Sequence, residues 1–350
     1  MTGSASHRGA RRTSMPVRMR TALVPFVTLP LAACAGRQSA LDPHGIQSDQ
    51  ILRTLFVFLM IAAIVWLAVV IVLGIGLLRR KRAAERPLAL HLPFEQATGR
   101  VVLGLGLATL VIVLGLSIVS YAGQRTVFAK DDSALTLKII GHQWWWEVHY
   151  EGDSPDRSFV TANEIRIPTG QPVKVELESA DVIHSFWVPS LTGKMDLVTG
   201  QANELQFTAK NAGVYRGQCA EFCGLQHAHM AFAVLALPPD EFGRWRDHEN
   251  QSANSPADQL GKQGEQLFRA RGCALCHNIR GTLAGGQLGP DLTHVGSRTT
   301  VAAGTLPMAP ATLGAWIADP QHIKPGNFMP KMPVQSDELI AILHYLEQLK

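Results

Sequence analysis

The chain has 350 residues, 47% of them hydrophobic and 17% charged, with a formal net charge of +4. That length calls for two or three units rather than one. The positive balance owes much to an N-terminal basic stretch and one internal basic cluster, so it is no argument for nucleic-acid binding.

In chain order, Arg11, Arg12, Arg18 and Arg20 precede a short apolar run, Thr21 to Leu31, the pattern of an export leader. Leu31-Ala32-Ala33-Cys34 reads as a bacterial lipobox, making 1–34 a leader and Cys34 a lipid anchor. A plain signal peptide or unprocessed leader with an incidental cysteine is the alternative. Leu55 to Leu78 and Val101 to Ala122 are each long and apolar enough to cross a bilayer. The cluster Arg79-Arg80-Lys81-Arg82, with Arg86 and Arg100, places their connection on the cytoplasmic side. Residues 35–125 are thus expected as a transmembrane hairpin, with everything later outside the inner membrane.

Residues 131–240 alternate over short runs: Leu135, Leu137, Ile139; Ile165, Ile167; Val173, Val175, Leu177; Phe232, Val234, Ala236. Turn signals separate them, so an antiparallel all-β sandwich is expected. Trp144-Trp145-Trp146 cannot all be buried on one face of a strand. At least one is exposed or buried in a partner. Cys219, Cys223, His227 and Met230 lie within twelve residues, a soft ligand set that favours copper. Two cysteines allow two bridged ions, whereas a disulfide would leave His227 and Met230 without a role. His184, at a strand end upstream, is a further ligand candidate.

Residues 241–258 are a polar linker, expected as part of a flexible tether over 239–258. In 259–350, Cys273-Ala-Leu-Cys276-His277 is a c-type haem attachment sequence. His277 would be one axial ligand and a methionine the other. Met329 is preferred, ahead of Met332 and Met308. The chain ends in an amphipathic helix from Asp337 to Leu349, with Ser336 as its expected N-cap. The β region holds fourteen acidic and seven basic side chains and the last region six and eight, which suits either a transient electrostatic dock between them or simply two solvated faces.

From about residue 50 to 240 the chain resembles subunit II of cytochrome c oxidase. The copper-type loop Cys219–Met230, Gly141-His142-Gln143-Trp144-Trp145-Trp146 and Ser185-Phe186-Trp187-Val188-Pro189-Ser190 carry the resemblance, in the family's order. Residues 324–330 resemble the Pro-Gly-x-x-Met-Pro of class I cytochromes c. The resemblance implies a two-helix membrane hairpin, a cupredoxin-like Greek-key sandwich and an all-α class I cytochrome c domain. It implies a binuclear copper centre (CuA) held by His184, Cys219, Cys223, His227, Met230 and the Glu221 carbonyl. It further implies that electrons enter at Trp144 and that the Glu221 carboxylate helps hold magnesium at the interface with subunit I. The expected activity is that of cytochrome-c oxidase, a respiratory-chain complex. Electrons would pass from cytochrome c through haem c and CuA to subunit I, for oxygen reduction to water coupled to proton translocation. Expected partners are subunit I, subunit III, an external cytochrome c or other donor, and the membrane. Rival readings are the CuA-bearing subunit of a nitric oxide reductase and a non-catalytic copper-binding or assembly protein; the haem sequence argues against the second.

Overall fold

The structure, a computed structural model, describes residues 36, 38–79, 92–132, 134–152, 154 and 157–350. The leader and Cys34 lie outside the described residues, as does most of the basic connection at 80–91. Two long helices come first, α1 (Ile46–Arg79) and α2 (Leu92–Val127). Each is long and apolar enough to cross a membrane, and their Leu, Ile and Val side chains are exposed along both. The start of α1 is fastened to the next domain. His44 N donates to Ser190 O at 2.7 Å, and Gln47 Oε1 accepts from Thr208 N at 3.0 Å.

Ten strands follow: β1 (Leu135–His142), β2 (Trp145–Tyr150), β3 (Phe159–Ala162), β4 (Glu164–Pro168), β5 (Val173–Ser179), β6 (His184–Trp187), β7 (Met195–Leu197), β8 (Asn203–Phe207), β9 (Gly213–Cys219) and β10 (Ala231–Leu237). They form two five-stranded sheets, in the orders β3-β2-β1-β5-β8 and β4-β10-β9-β6-β7. The alternating residues point inward as the pattern requires; Leu137, Ile139, Ile165, Val173, Val175, Leu177 and Val234 are fully buried between the sheets. The sandwich is not wholly antiparallel: β1 pairs β5 in parallel, and β4 pairs β10 in parallel. Alternation reports which face is buried and is blind to strand direction.

The expected flexible tether is in fact largely structured. Residues Pro239–Glu249 form helix α3, with Phe242 buried in the sandwich core and Trp245 packed against it. Trp245 also meets Tyr150 and Phe159 edge-on. Seven polar or charged residues in that helix hid its two-residue apolar face. The helical unit then contains α4 (Gln259–Ala270), β11 (Thr300–Val301), β12 (Leu306–Pro307), α5 (Pro310–Ala318), α6 (Pro320–Ile323) and α7 (Ser336–Gln348). Helices α4 and α7 cross closely. A methyl on Gly264 would sit 2.0 Å from the Ala341 carbonyl oxygen, so only glycine allows that approach. At the start of α7, Ser336 is the first helical residue and Gln335 takes the cap position. The Gln335 N–H donates to Glu338 Oε2 at 3.0 Å, the reciprocal half of a capping box.

The helical unit sits directly on the sandwich. Ala231 N donates to Ala303 O at 3.1 Å, and Gln226 Nε2 to Pro325 O at 2.7 Å. Glu164 of β4 is buried, and its Oε1 accepts from Thr299 N, Thr299 Oγ1 and Thr300 N at 2.6, 2.6 and 3.1 Å. Its Oε2 has no protein hydrogen bond. Glu164 also borders a cavity of about 10 Å³ together with Arg166, His294 and Arg298, which is space for one water. Among the described residues no ion pair within 4 Å joins the sandwich to the helical unit, so the joint is not the charge-paired dock expected.

Candidate metal centre and haem cavity

At one end of the sandwich, β9 delivers Cys219 and the chain curls back before β10 begins. Cys219 and Cys223 are both buried and free, with their Sγ atoms 3.7 Å apart. A disulfide holds its sulfurs at about 2.05 Å, so this is a pair of thiols. Around them lie His184 Nδ1, 3.9 Å from Cys219 Sγ, and His227 Nδ1, 3.5 Å from Cys223 Sγ. Met230 Sδ is 3.8 Å from Cys223 Sγ, and the Glu221 carbonyl oxygen is 3.2 Å from Cys219 Sγ. Four further candidate donors thus converge on the two sulfurs, one histidine beside each. His229 turns elsewhere, its Nδ1 meeting Gln226 Oε1 at 2.7 Å.

The surroundings fix these side chains. His184 is fully buried, and its Nε2 meets Asp181 Oδ1 at 2.7 Å. That contact orients the ring and leaves Nδ1 facing the sulfur. Burial alone would raise the Asp181 carboxyl, but bonds from His184, Gln143 N and Val182 N hold it below its usual range. The Cys223 thiol, through its contact, holds Cys219 down to about 4; the same contact and burial push Cys223 up. Metal binding by the pair would displace thiol protons. Behind the site, Phe186, Phe232 and Trp146 form an aromatic cluster in which Phe186 and Phe232 stack at 4.7 Å. Glu221 has a second face: its carboxylate is half-exposed, with Lys194 Nζ 3.5 Å from Oε2.

The second site is a cavity of about 540 Å³, lined by Cys273, Cys276, His277 and Met329 from the helical unit and by His142 and Trp144 from the sandwich. That volume lies within the range of cofactor pockets. His277 Nδ1 donates to the Pro290 carbonyl at 2.8 Å, which leaves Nε2 as the ring's lone-pair nitrogen. Burial holds the imidazole below its ordinary pKa, keeping it neutral as a metal ligand must be. The two cysteines are free and placed to take thioether bonds. Met329 is anchored on both sides of its Cα: its N–H donates to Asn327 Oδ1 at 2.8 Å and its carbonyl accepts from Gln321 Nε2 at 2.9 Å. Met332 also lines the cavity; Met308 packs into the helical core instead.

The tryptophan run divides between a turn, which carries Trp144, and strand β2, which carries Trp145 and Trp146 on opposite faces. Trp146 is in the core, and Trp145 stacks on His142 at 4.4 Å. Trp144 is 7% exposed, covered by the chain's own helical unit with Phe328 parallel to it at 6.0 Å. Its Nε1 donates to the Cys223 carbonyl at 3.0 Å, so one indole touches the sulfur loop and borders the large cavity. Sequence reasoning did not single out Asp181, Phe328 or Lys324 as site residues. Asp181, an acid three residues before a candidate ligand, was findable; Phe328 and Lys324 carry no local signal.

Comparison with known proteins identifies the families of both domains. Residues 152–237 match the family "Cytochrome C oxidase subunit II, periplasmic domain", and residues 261–350 match the family "Cytochrome c". Cytochrome c oxidase subunit 2 of Alkalihalophilus pseudofirmus is 35% identical over 93% of this chain and 95% of its own length. The subunit 2 of Bacillus subtilis is 33% identical over 94% of this chain and 96% of its own. The crystal structure of the periplasmic domain of oxidase subunit II from Bradyrhizobium japonicum is 33% identical over 34% of this chain and 94% of that one, with a TM-score of 0.31. The cofactors of the two domains are a CuA centre and a c-type haem, and the donor sets described above suit both. This chain belongs to the cytochrome c oxidase subunit II family, in the form that carries a fused C-terminal cytochrome c domain.

Proposed function

We propose that this chain is the electron-relay subunit of a haem-copper terminal oxidase. It takes electrons from an external cytochrome c or similar donor and hands them to subunit I, where oxygen is reduced to water with proton translocation. Haem c and CuA, when bound, supply one-electron carriage. Cys219, Cys223, His184, His227, Met230 and the Glu221 carbonyl would hold the copper ions. Cys273 and Cys276 would tether the haem, and His277 and Met329 would hold its iron. The half-exposed Glu221 carboxylate suits a magnesium site shared with subunit I. Trp144 links the two sites: its ring borders the haem cavity while its N–H holds the Cys223 carbonyl. That single observation carries the reading.

The two exposed apolar helices suit a bacterial inner membrane, with the sandwich (131–240) and the cytochrome domain (259–350) on its outer face and subunits I and III alongside. The purified complex should show a near-infrared copper band and a seven-line hyperfine pattern at low temperature. A four-line, one-copper pattern would sink the bridged-thiolate assignment. Met329→Leu should abolish the Met-ligated low-spin haem spectrum; if only Met332→Leu does so, the axial ligand is Met332.

A further inference from the structure

Lys324 immediately precedes the Pro325–Met329 loop of the cytochrome domain, yet two of its three hydrogen bonds reach the copper domain. Its Nζ donates to the carbonyls of Trp144 at 2.9 Å, His229 at 2.9 Å and Ala302 at 3.3 Å. Three acceptors match the three N–H bonds of an ammonium, whereas a neutral amine would leave one carbonyl unserved. The residue is 3% exposed. Among the described residues no carboxylate pairs with it within 4 Å; burial lowers its pKa to about 8, and the Cys223 sulfur works in the opposite direction.

The three carbonyls lie in three distinct pieces of the joint. Trp144 stands on the turn that bonds Cys223, and His229 adjoins Met230. Ala302 belongs to the β11–β12 hairpin. Ala302 and Ala303 both have left-handed backbones, φ 53° and 56°, a conformation that is costly for any residue with a Cβ. Both of their carbonyls are engaged, Ala303 across the joint by the Ala231 N–H and Ala302 within the helical unit by Lys324.

We propose that Lys324 is a positioning residue for electron transfer: its ammonium locks the Met329 loop onto the copper loop and stations a fixed positive charge beside the copper thiolates. The proposal rests on the relay reading above. A buried positive charge stabilises whichever redox state carries the extra electron, so it raises the copper potential. Lys324→Met, in the purified complex, removes the bonds and the charge together. Transfer from haem c to copper should slow about tenfold or more, and the copper midpoint potential should fall. Reduction of the haem itself by a small reductant should be unchanged. Lys324→Arg keeps the charge and should retain the potential. A copper potential unmoved in Lys324→Met overturns the proposal.

Native acetylation of the wild-type complex gives a test free of variant folding. Lys324 should stay unmodified while the exposed Lys262, Lys331 and Lys350 react; equal reactivity overturns the lock. Wild-type protein lacking the copper-pair or haem spectrum would defeat the relay reading instead.

Discussion

Glu164→Ala should loosen the cytochrome domain from the copper domain without unfolding either. Glu164 Oε1 takes three hydrogen bonds from Thr299 and Thr300, two of them from backbone N–H groups. Truncation leaves those donors without partners in a buried joint, a change that costs about 2–5 kcal/mol when one side of a buried charged contact is removed. At about 1.4 kcal/mol per tenfold, the open state would gain roughly thirtyfold to several thousandfold. The lower end is the better expectation, because Glu164 Oε2 has no protein partner to lose and the carboxylate no longer has to be desolvated. Glu164→Gln keeps an acceptor oxygen and should show a much smaller effect. Amide hydrogen exchange at residues 299–301 of the purified complex reads the opening directly. Since no ion pair spans the joint among the described residues, the wild-type protection should also hold between about 0.05 and 0.5 M salt. Unchanged protection in Glu164→Ala, or wild-type protection that collapses with salt, would refute the account of the joint.

Asp181→Asn should lower copper affinity about 10–100-fold while keeping the hyperfine pattern, because the Asp181 carboxylate orients the His184 ring through Nε2 without itself contributing a donor. Equilibrium competition with a chelator measures it, and wild-type affinity would remove Asp181 from the site. Gly289→Ala should disturb His277, the proposed haem ligand: a methyl there would lie 2.7 Å from His277 Cε1 and 3.0 Å from Nδ1, displacing the ring from its bond to Pro290. A shifted low-spin haem spectrum is expected, and an unaltered one would show that the ring has room to spare.

The two motifs were legible because their members are close in sequence. Cys219 to Met230 and Cys273 to His277 are each contained in one short segment, so spacing marks the chemistry, although only the family resemblance separates His227 from His229. His184 needed the strand ladder, and its pairing across β6 and β9, Phe186 opposite Cys219, sets it beside the sulfurs. Parallel strand pairs and the helix at 239–249 were missed for a common reason. Alternation and polarity describe one element's faces, while direction and a two-residue contact surface depend on the neighbour. The joint was the least legible part. Glu164, Arg166 and Lys324 read as ordinary surface charges, and nothing local marks that their partners are backbone groups far along the chain. The tryptophan run came closest: the three consecutive rings required at least one to be exposed or buried by a partner, and Trp144 is covered by the chain's own helical unit, with Phe328 stacked on it.

The charge imbalance between the domains invited a docking model in which opposite charges attract and release. The joint uses charge differently. Its buried carboxylate and buried ammonium each bind backbone dipoles, Glu164 the N–H groups of Thr299 and Thr300 and Lys324 three carbonyls. Paired ions attract over a range of orientations, and salt weakens them. An ammonium shared by three fixed carbonyls is satisfied in one orientation only, and its burial keeps salt away. That orientation lays Phe328 parallel to Trp144 and holds the Met329 loop against the loop bearing Cys223. A relay whose rate depends on the distance between two centres benefits from a joint of this second kind, because a docked arrangement that does not dissociate has no encounter step to wait for.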